Sequence, residues 1–171
     1  MEKDLIEAAR ALLDLCRAKK LTIATAESCT GGLVAATLTA IAGSSDVFDR
    51  GFVTYSNSAK TTMLGVSDDL IRAYGAVSRE SAGAMAEGAL ARSGAGLAVA
   101  VTGIAGPGGA SRGKPIGLVH FAAAARSGAR SETVRRFGDI GRDEVRWGSV
   151  REALMMLQAL AEKEGTGGSP A

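Results

Sequence analysis

The run from Gly96 to Thr102 constrains the fold of this chain more than any other segment. It reads Gly-Leu-Ala-Val-Ala-Val-Thr, and a glycine-rich stretch follows it, as expected of a buried β-strand. Further strand patterns occur at residues 21–26 and 116–122, with amphipathic helical patterns between and around them. Alternating helices and apolar strands predict an α/β fold: a single layered domain with a mixed β-sheet flanked by helices.

Helical periodicity and capping residues predict the remaining elements. Asn57 is predicted to cap a helix over residues 58–64 that ends at Gly65, since asparagine is a favoured N-cap residue and glycine a favoured C-cap residue. Other helices are predicted over residues 3–18, 31–41 and 141–163, and two more begin at Ser67 and Ser78. Other strands are predicted over residues 51–55 and 130–137, and the second of these is expected at the edge of the sheet.

Composition and charge limit the class of protein. Hydrophobic residues make up 46% of the 171 residues and charged residues 22%, which is ordinary for a globular domain. Residues 1–164 are therefore predicted to form one domain, and the glycine-rich residues 165–171 a disordered tail. A net charge of +2 and only 4% aromatic residues argue against a nucleic-acid partner.

The same inspection predicts where the protein works and what it binds. The N-terminus is charged and no segment reaches ~18 uninterrupted apolar residues, so a cytoplasmic protein without a membrane partner is expected. Two cysteines and one histidine are too few for a disulfide scaffold or a zinc cluster, so no metal and no cofactor are expected. Alanine-rich helices in a small domain favour a homo-oligomer.

The glycine-rich loop over residues 103–115 is the first candidate for ligand binding. Gly108 to Lys114 nearly spells a phosphate-binding P-loop, but Pro115 stands where a serine or threonine would hold magnesium. A predicted strand follows the loop, whereas a P-loop leads into a helix. The backbone N–H groups of such a loop can still approach an anion closely. A nucleotide or anion site and a mobile hairpin loop are both consistent with this composition.

Ser28 is the first candidate nucleophile. It lies between a predicted strand and a predicted helix whose free N–H groups could hold an oxyanion. The competing interpretation is that Ser28 or Thr30 only caps that helix. A serine nucleophile needs a base, and the single histidine, His120, lies inside a predicted strand, so a serine–histidine triad is not expected. The neighbouring Cys29 is a weaker candidate nucleophile than Ser28.

Lys60 is the candidate base. It is predicted near the start of a helix, where the helix dipole disfavours a cation and so lowers the lysine pKa. Tyr55, at a predicted strand end, could assist proton transfer, and Arg142, in the first turn of the last helix, could bind a carboxylate or phosphate. The alternatives are a solvated lysine, a packing tyrosine and a surface ion pair for Arg142.

Four ordered motifs in this sequence resemble those of the CinA C-terminal family. This is the competence/damage-inducible protein family whose active members are nicotinamide-nucleotide amidases. The resemblance runs from about residue 5 to residue 160. The motifs are Ala26-Glu27-Ser28-Cys29-Thr30-Gly31-Gly32, Gly51-x-Val53-x-Tyr55-Ser56-Asn57-x-x-Lys60, residues 101–109 (Val-Thr-Gly-Ile-Ala-Gly-Pro-Gly-Gly), and Lys114-Pro115-x-Gly117.

The resemblance implies a metal-free serine amidase that converts nicotinamide mononucleotide to nicotinate mononucleotide and ammonia, in pyridine nucleotide recycling. It implies Ser28 as nucleophile, Lys60 as base and Tyr55 as an assisting group. The substrate-binding residues it implies are Cys29, Thr30, Gly31, Thr102, Gly103, Gly106 and Arg142. The alternative is a non-catalytic nucleotide-sensing module linked to competence or DNA damage. Longer family members carry an N-terminal domain that resembles molybdopterin-binding folds, and its activities are not carried over to this chain.

Overall fold

The computed structural model describes residues 3–165, so all of the predicted tail except Gly165 lies outside the described residues. Five strands form one sheet, and six helices flank it. None of these helices combines the length and the apolarity that crossing a bilayer requires. In chain order the elements are α1 (Lys3–Lys19), β1 (Ile23–Glu27), α2 (Leu33–Thr39), β2 (Phe48–Val53), α3 (Asn57–Leu64), α4 (Asp68–Tyr74), α5 (Arg79–Ala91), β3 (Leu97–Gly103), β4 (Leu118–Ala125), β5 (Arg130–Arg136) and α6 (Arg142–Lys163).

The sheet is mixed, as predicted, with the strand order β2-β1-β3-β4-β5. Strand β1 pairs in parallel with both β2 and β3, whereas β4 runs antiparallel to β3 and to β5. The chain moves from β1 to β2 on one side and later returns to β3 on the other side of β1. In open α/β sheets, ligands bind outside the carboxyl ends of the strands at such a reversal. The fold therefore predicts a site at the carboxyl ends of β1 and β3.

Helices bury both faces of the central strands. Alternate residues of β3 face opposite sides, so Leu97 and Val99 join a core with α1, α2 and α6. Ala98 and Ala100 join a second core formed with α3, α4 and α5. The small alanine side chains on this second face let α5 pack close to the sheet. This burial on both sides is why β3 reads as a continuous apolar run.

Several predicted element boundaries were wrong; β4, for example, was predicted over residues 116–122 and spans Leu118–Ala125. Ser56, not Asn57, caps α3, because its hydroxyl accepts the N–H of Ala59 at 3.0 Å. Helix α2 starts at Leu33 because Gly31 and Gly32 both have positive φ angles, +61° and +97°, which a helix does not tolerate. Strand β2 is an edge strand whose residues are half-buried or exposed, so the apolar pattern shows only its end. Tyr55 therefore lies beyond the strand.

Candidate active site

A cavity of about 290 Å³ opens at the predicted edge of the sheet. Four segments and Arg142 at the start of α6 line it: the turn after β1, the start of α3, the connection before α5 and the glycine-rich loop after β3. The residues that line it include Ser28, Cys29, Tyr55, Asn57, Lys60, Thr102, Gly103, Gly106, Gly108, Gly109 and Arg142. The structure thus brings together residues from three of the four sequence motifs. The fourth, Lys114-Pro115-x-Gly117, contributes no lining residue.

Ser28 and Lys60 are in direct contact. The amine Nζ of Lys60 lies 3.0 Å from the hydroxyl Oγ of Ser28 and donates to the carbonyl oxygen of Thr54 at 2.8 Å. Lys60 is buried, with 1% of its surface exposed, although it is the largest polar side chain in the interior. A lysine in such a place is neither solvated nor a surface residue, so the structure rejects the alternative that Lys60 is a solvated lysine.

Burial lowers the pKa of Lys60 below its usual value of 10.5, because the interior penalises the charged form. The nearby Cys29 sulfur acts in the opposite direction as a smaller influence. Sequence reasoning predicted a lowered pKa but attributed it to the helix dipole. A neutral amine can donate one N–H to Thr54 and accept the Ser28 proton with its lone pair. This is the arrangement that a general base requires.

Main-chain pairing between the strands fixes both side chains. The N–H of Ser28 donates to the carbonyl oxygen of Val101 at 2.9 Å, which anchors the serine to β3. The N–H of Thr54 donates to the carbonyl oxygen of Glu27 at 2.8 Å, and the Thr54 carbonyl then holds the Lys60 amine. The position of the base relative to the nucleophile is therefore set by the pairing of β2 with β1.

The turn after Ser28 is held by the side chain of Glu27. Its carboxylate accepts the N–H groups of Gly32, Val34 and Ala35 at 2.9–3.0 Å. Neither Ser28 nor Thr30 therefore caps α2, and the capping interpretation of these two residues was wrong. The donors at the start of α2 are occupied, so they are also unavailable to an oxyanion.

Two N–H groups between Ser28 and α2 stay without a partner in the described part of the chain. The N–H of Gly31 donates to the carbonyl oxygen of Ser28 at 3.0 Å. Within residues 3–165, no hydrogen bond takes the N–H groups of Cys29 and Thr30. Both donors directly follow the serine in the chain, and Cys29 also lines the cavity, so its N–H is the candidate donor to an oxyanion formed on the substrate.

Cys29, Thr30 and Gly31 differ in their placement. Cys29 lines the cavity, but burial raises the pKa of its thiol to about 12, so it stays protonated and is a poor nucleophile. Thr30 is fully buried and Gly31 packs near Arg146, and neither lines the cavity. The Arg146 guanidinium donates to the Thr30 carbonyl at 3.1 Å, which holds the turn from the side of α6.

Tyr55 and Arg142 meet at the mouth of the cavity. Arg142 Nη2 donates to the Tyr55 hydroxyl at 2.8 Å, and Nη1 donates to the carbonyl oxygen of Gly106 at 2.8 Å. Tyr55 is 60% exposed. Arg142 is thus oriented towards the cavity by two hydrogen bonds, neither of them to an acidic side chain. Tyr55 is placed beside the arginine at the rim.

The glycine-rich loop forms one wall. Gly103, Gly106, Gly108 and Gly109 line the cavity, and β4 follows the loop as predicted, so the loop is not a P-loop. Thr102 also lines it, and its hydroxyl donates to the carbonyl oxygen of Ala76 at 2.8 Å. This bond fixes the connection before α5 against β3. Lys114, at the far end of the loop, donates to the carbonyl oxygen of Tyr74.

A second, larger groove of about 580 Å³ lies over β4 and β5. His120 lines it beside Arg79 and Glu132, and burial lowers the pKa of the imidazole. His120 lies in β4 and is absent from the lining of the Ser28 cavity. Since this groove offers no nucleophile in contact with a base, the smaller cavity is the candidate active site. Nowhere in residues 3–165 do three or more histidine, cysteine, aspartate or glutamate side chains gather as metal ligands would.

Sequence reasoning missed three contributors to this site. Asn57, assigned to a helix cap, lines the cavity. Glu27 was quoted in a motif but given no role, although a charged residue at the end of a buried strand is a visible signal. The Thr54 carbonyl left no signal, because main-chain contacts depend on strand register. Together, fold and cavity define an α/β domain with a buried serine–lysine pair at the carboxyl ends of its parallel strands.

Comparison with known proteins agrees with this description. The family model of the CinA C-terminal domain matches residues 6–161. A CinA-like protein of Chlorobium phaeovibrioides is 47% identical over 161 residues, which cover 91% of this chain and 37% of the relative. A CinA-like protein of a Synechococcus species is 51% identical over 151 residues, which cover 88% of this chain and 36% of that relative. The chain thus spans little more than a third of the length of these curated relatives.

Solved structures give the same family. The competence/damage inducible protein CihA of Agrobacterium tumefaciens superimposes with a TM-score of 0.92 at 56% identity, over 94% of this chain and 97% of that chain. A CinA superfamily protein of Klebsiella pneumoniae gives 0.89 at 34% identity, over 94% of this chain and 99% of that chain. The chain belongs to the CinA C-terminal domain family.

Proposed function

We propose that this chain is an amidase that hydrolyses the carboxamide of nicotinamide mononucleotide to nicotinate mononucleotide and ammonia. The observation that supports the proposal most is the contact of 3.0 Å between a buried, pKa-lowered lysine amine and a serine hydroxyl inside a cavity. A nucleophile beside a base is the arrangement that acyl transfer needs. Membership of the CinA C-terminal family is consistent with this chemistry.

The first half of the reaction forms an ester. Neutral Lys60 takes the Ser28 proton as Oγ attacks the amide carbon, and negative charge develops on the amide oxygen. The N–H of Cys29, a residue that lines the cavity, stabilises that oxyanion, and such a donor is worth ~2.7–4 kcal/mol of barrier. When the C–N bond breaks, the Lys60 ammonium returns its proton to the leaving nitrogen. Ammonia departs, and the nicotinate group remains esterified to Ser28.

The second half releases the acid. Water attacks the ester carbon and gives a proton to Lys60, the oxyanion forms again, and the protonated lysine restores the Ser28 hydroxyl as the ester bond breaks. The electron-poor pyridinium ring favours both attacks, so a serine activated by a single amine suffices. Tyr55 holds Arg142 at the rim of the cavity, because its hydroxyl accepts a hydrogen bond from the Arg142 guanidinium.

The rim of the cavity suits a phosphate. Arg142 is held at the cavity by two hydrogen bonds, one of them to the glycine-rich loop, whose backbone N–H groups can also approach an anion. The cavity volume of about 290 Å³ matches the lower end of the ~300–1,000 Å³ range of small-molecule sites. A mononucleotide fits this description better than a dinucleotide.

Three related amides test the assignment of the substrate. We expect kcat/KM for ammonia release to fall from nicotinamide mononucleotide to nicotinamide riboside and further to free nicotinamide, because the riboside lacks the phosphate and nicotinamide also lacks the pyridinium charge. Equal values for mononucleotide and riboside would contradict the phosphate site. Binding of the mononucleotide with no turnover of any of the three would favour the sensing module.

The pH dependence of kcat/KM tests the state of the base. Lys60 must be unprotonated to act, so activity is expected to rise with pH and level off above the Lys60 pKa. Because burial lowers that pKa, the midpoint should lie below 10.5. Initial rates of ammonia release between pH 6 and pH 11, with the fold checked at each end, measure it. A rate that falls with rising pH across this range would exclude a neutral amine as the base.

A further inference from the structure

Glu27 is the most deeply buried acidic side chain in the described part of the chain, with 1% of its surface exposed. No lysine or arginine pairs with it among residues 3–165. Its partners are three main-chain donors, with Oε2 accepting the N–H groups of Gly32 and Val34 and Oε1 that of Ala35. A buried carboxylate is costly unless such bonds compensate it. The three bonds fix the main chain at residues 32–35, a few residues after Ser28.

The contacts of Glu27 connect both members of the serine–lysine pair. Its carboxylate ties the start of α2 back to β1, so the short turn over residues 28–31 is closed at both ends. Its main-chain carbonyl accepts the Thr54 N–H at 2.8 Å, and Thr54 in turn holds the Lys60 amine. Since the carboxylate occupies donors of α2, the N–H groups of Cys29 and Thr30 are the ones left without a partner between Ser28 and that helix in residues 3–165.

We propose that Glu27 is a positioning residue for the acyl-transfer reaction: its carboxylate fixes the turn after Ser28 so that the N–H of Cys29 meets the oxyanion. It acts through the main chain, since it is absent from the residues that line the cavity. This inference rests on the proposed serine chemistry. If Glu27 has this role, its loss should raise the energy of the transition state more than it weakens substrate binding, because the oxyanion forms only during the reaction.

Glu27→Gln is the informative variant. The glutamine carbonyl can replace one carboxylate oxygen, but its NH₂ group then faces a backbone N–H, donor against donor, and the turn must shift. A misplacement of this kind costs about 10- to 100-fold in kcat, with KM within about twofold of the unmodified chain.

Ser67→Ala is the matched control for lost capping alone. Ser67 caps α4 by accepting the Leu70 N–H at 3.1 Å, and it does not line the cavity. Its loss should lower the melting temperature while kcat stays unchanged. If Glu27→Gln behaves in the same way, with a lower melting temperature and an unchanged kcat, Glu27 is only structural and the proposal is wrong. If Glu27→Gln does not fold, Glu27→Asp is tested instead, because its side chain is too short to reach all three donors. An unchanged kcat with a lower melting temperature would again show that Glu27 is only structural.

A second substrate separates this inference from the proposed amidase. p-Nitrophenyl acetate transfers its acetyl group to Ser28 Oγ, releases p-nitrophenolate and passes through the same oxyanion, with Ser28→Ala as the blank. We expect Glu27→Gln to slow acylation about 10- to 100-fold. Turnover of the ester but not of the mononucleotide would contradict the proposed amidase activity. The effect of Glu27→Gln on the acylation rate could still be measured with the ester. An acylation rate equal to that of the unmodified chain would overturn the role of Glu27, and absence of reaction with either substrate would overturn both proposals.

Discussion

Ser28→Ala is expected to abolish ammonia release from nicotinamide mononucleotide, with a loss of at least about 10⁴-fold, the scale on which serine hydrolases respond to loss of the nucleophile. The acyl-enzyme cannot form without Oγ, and the neighbouring Cys29 cannot replace it, because burial raises the pKa of its thiol to about 12. The fold should survive, since among residues 3–165 the Ser28 side chain bonds only the Lys60 amine, which keeps its bond to Thr54.

The Ser28→Ala experiment measures two quantities on the same sample. Ammonia release should vanish, whereas calorimetric titration should still show binding of the mononucleotide, because the rim of the cavity is intact. Ser58→Ala is the matched control: Ser58 is exposed in the first turn of α3 and does not line the cavity, so activity should be retained. Full activity in Ser28→Ala would remove the nucleophile assignment.

Lys60→Arg is the second variant with a large expected effect. Arginine stays protonated at neutral pH and cannot accept a proton, so a loss of about 10³-fold or more in kcat is expected. Lys3→Arg, an exposed position on α1, is the control that should leave activity unchanged. More than about a tenth of the activity remaining in Lys60→Arg would show that another group is the base.

Lys60→Met separates the base from the fold, because methionine fills a similar volume without a charge. It should be as inactive as Lys60→Arg. The pKa of the folded-state amine lies below its unfolded value, so the folded chain binds fewer protons. The stability of the unmodified chain should therefore rise with pH, relative to Lys60→Met, from the folded-state pKa up to about 10.5. A constant stability difference between the two proteins over that range would show that Lys60 is protonated in the folded state.

Much of the fold was predictable because the central elements are buried on both sides. The apolar run of β3 and the helical stripe of α1 carry a strong signal, whereas that of α6 is weak, and each forms the predicted element. Strand β2 was misplaced because it lies at the sheet edge, where polar residues such as Asp49 and Arg50 are tolerated. Sequence patterns report burial, so they locate core strands better than edge strands.

The site could be predicted less completely than the fold. The Ser28 and Lys60 motifs were identified, and the structure places their side chains in contact. The cause of the lowered Lys60 pKa was not predictable, because burial of a lysine depends on how α3 packs against the ends of β1 and β2. The contribution of Thr54 is a main-chain contact set by strand register and leaves no residue pattern. The homo-oligomer and cytoplasmic location stay predictions.

The most direct test of the amidase assignment follows nicotinamide mononucleotide and its products in the presence of the unmodified chain, in a buffer that contains a metal chelator. Every step is assigned to Ser28, Lys60 and main-chain N–H groups, so nicotinate mononucleotide and ammonia should appear in equal amounts. Release that stops on chelation and returns with added zinc would contradict the serine–lysine mechanism. Binding of the mononucleotide with no ammonia released would contradict the amidase itself.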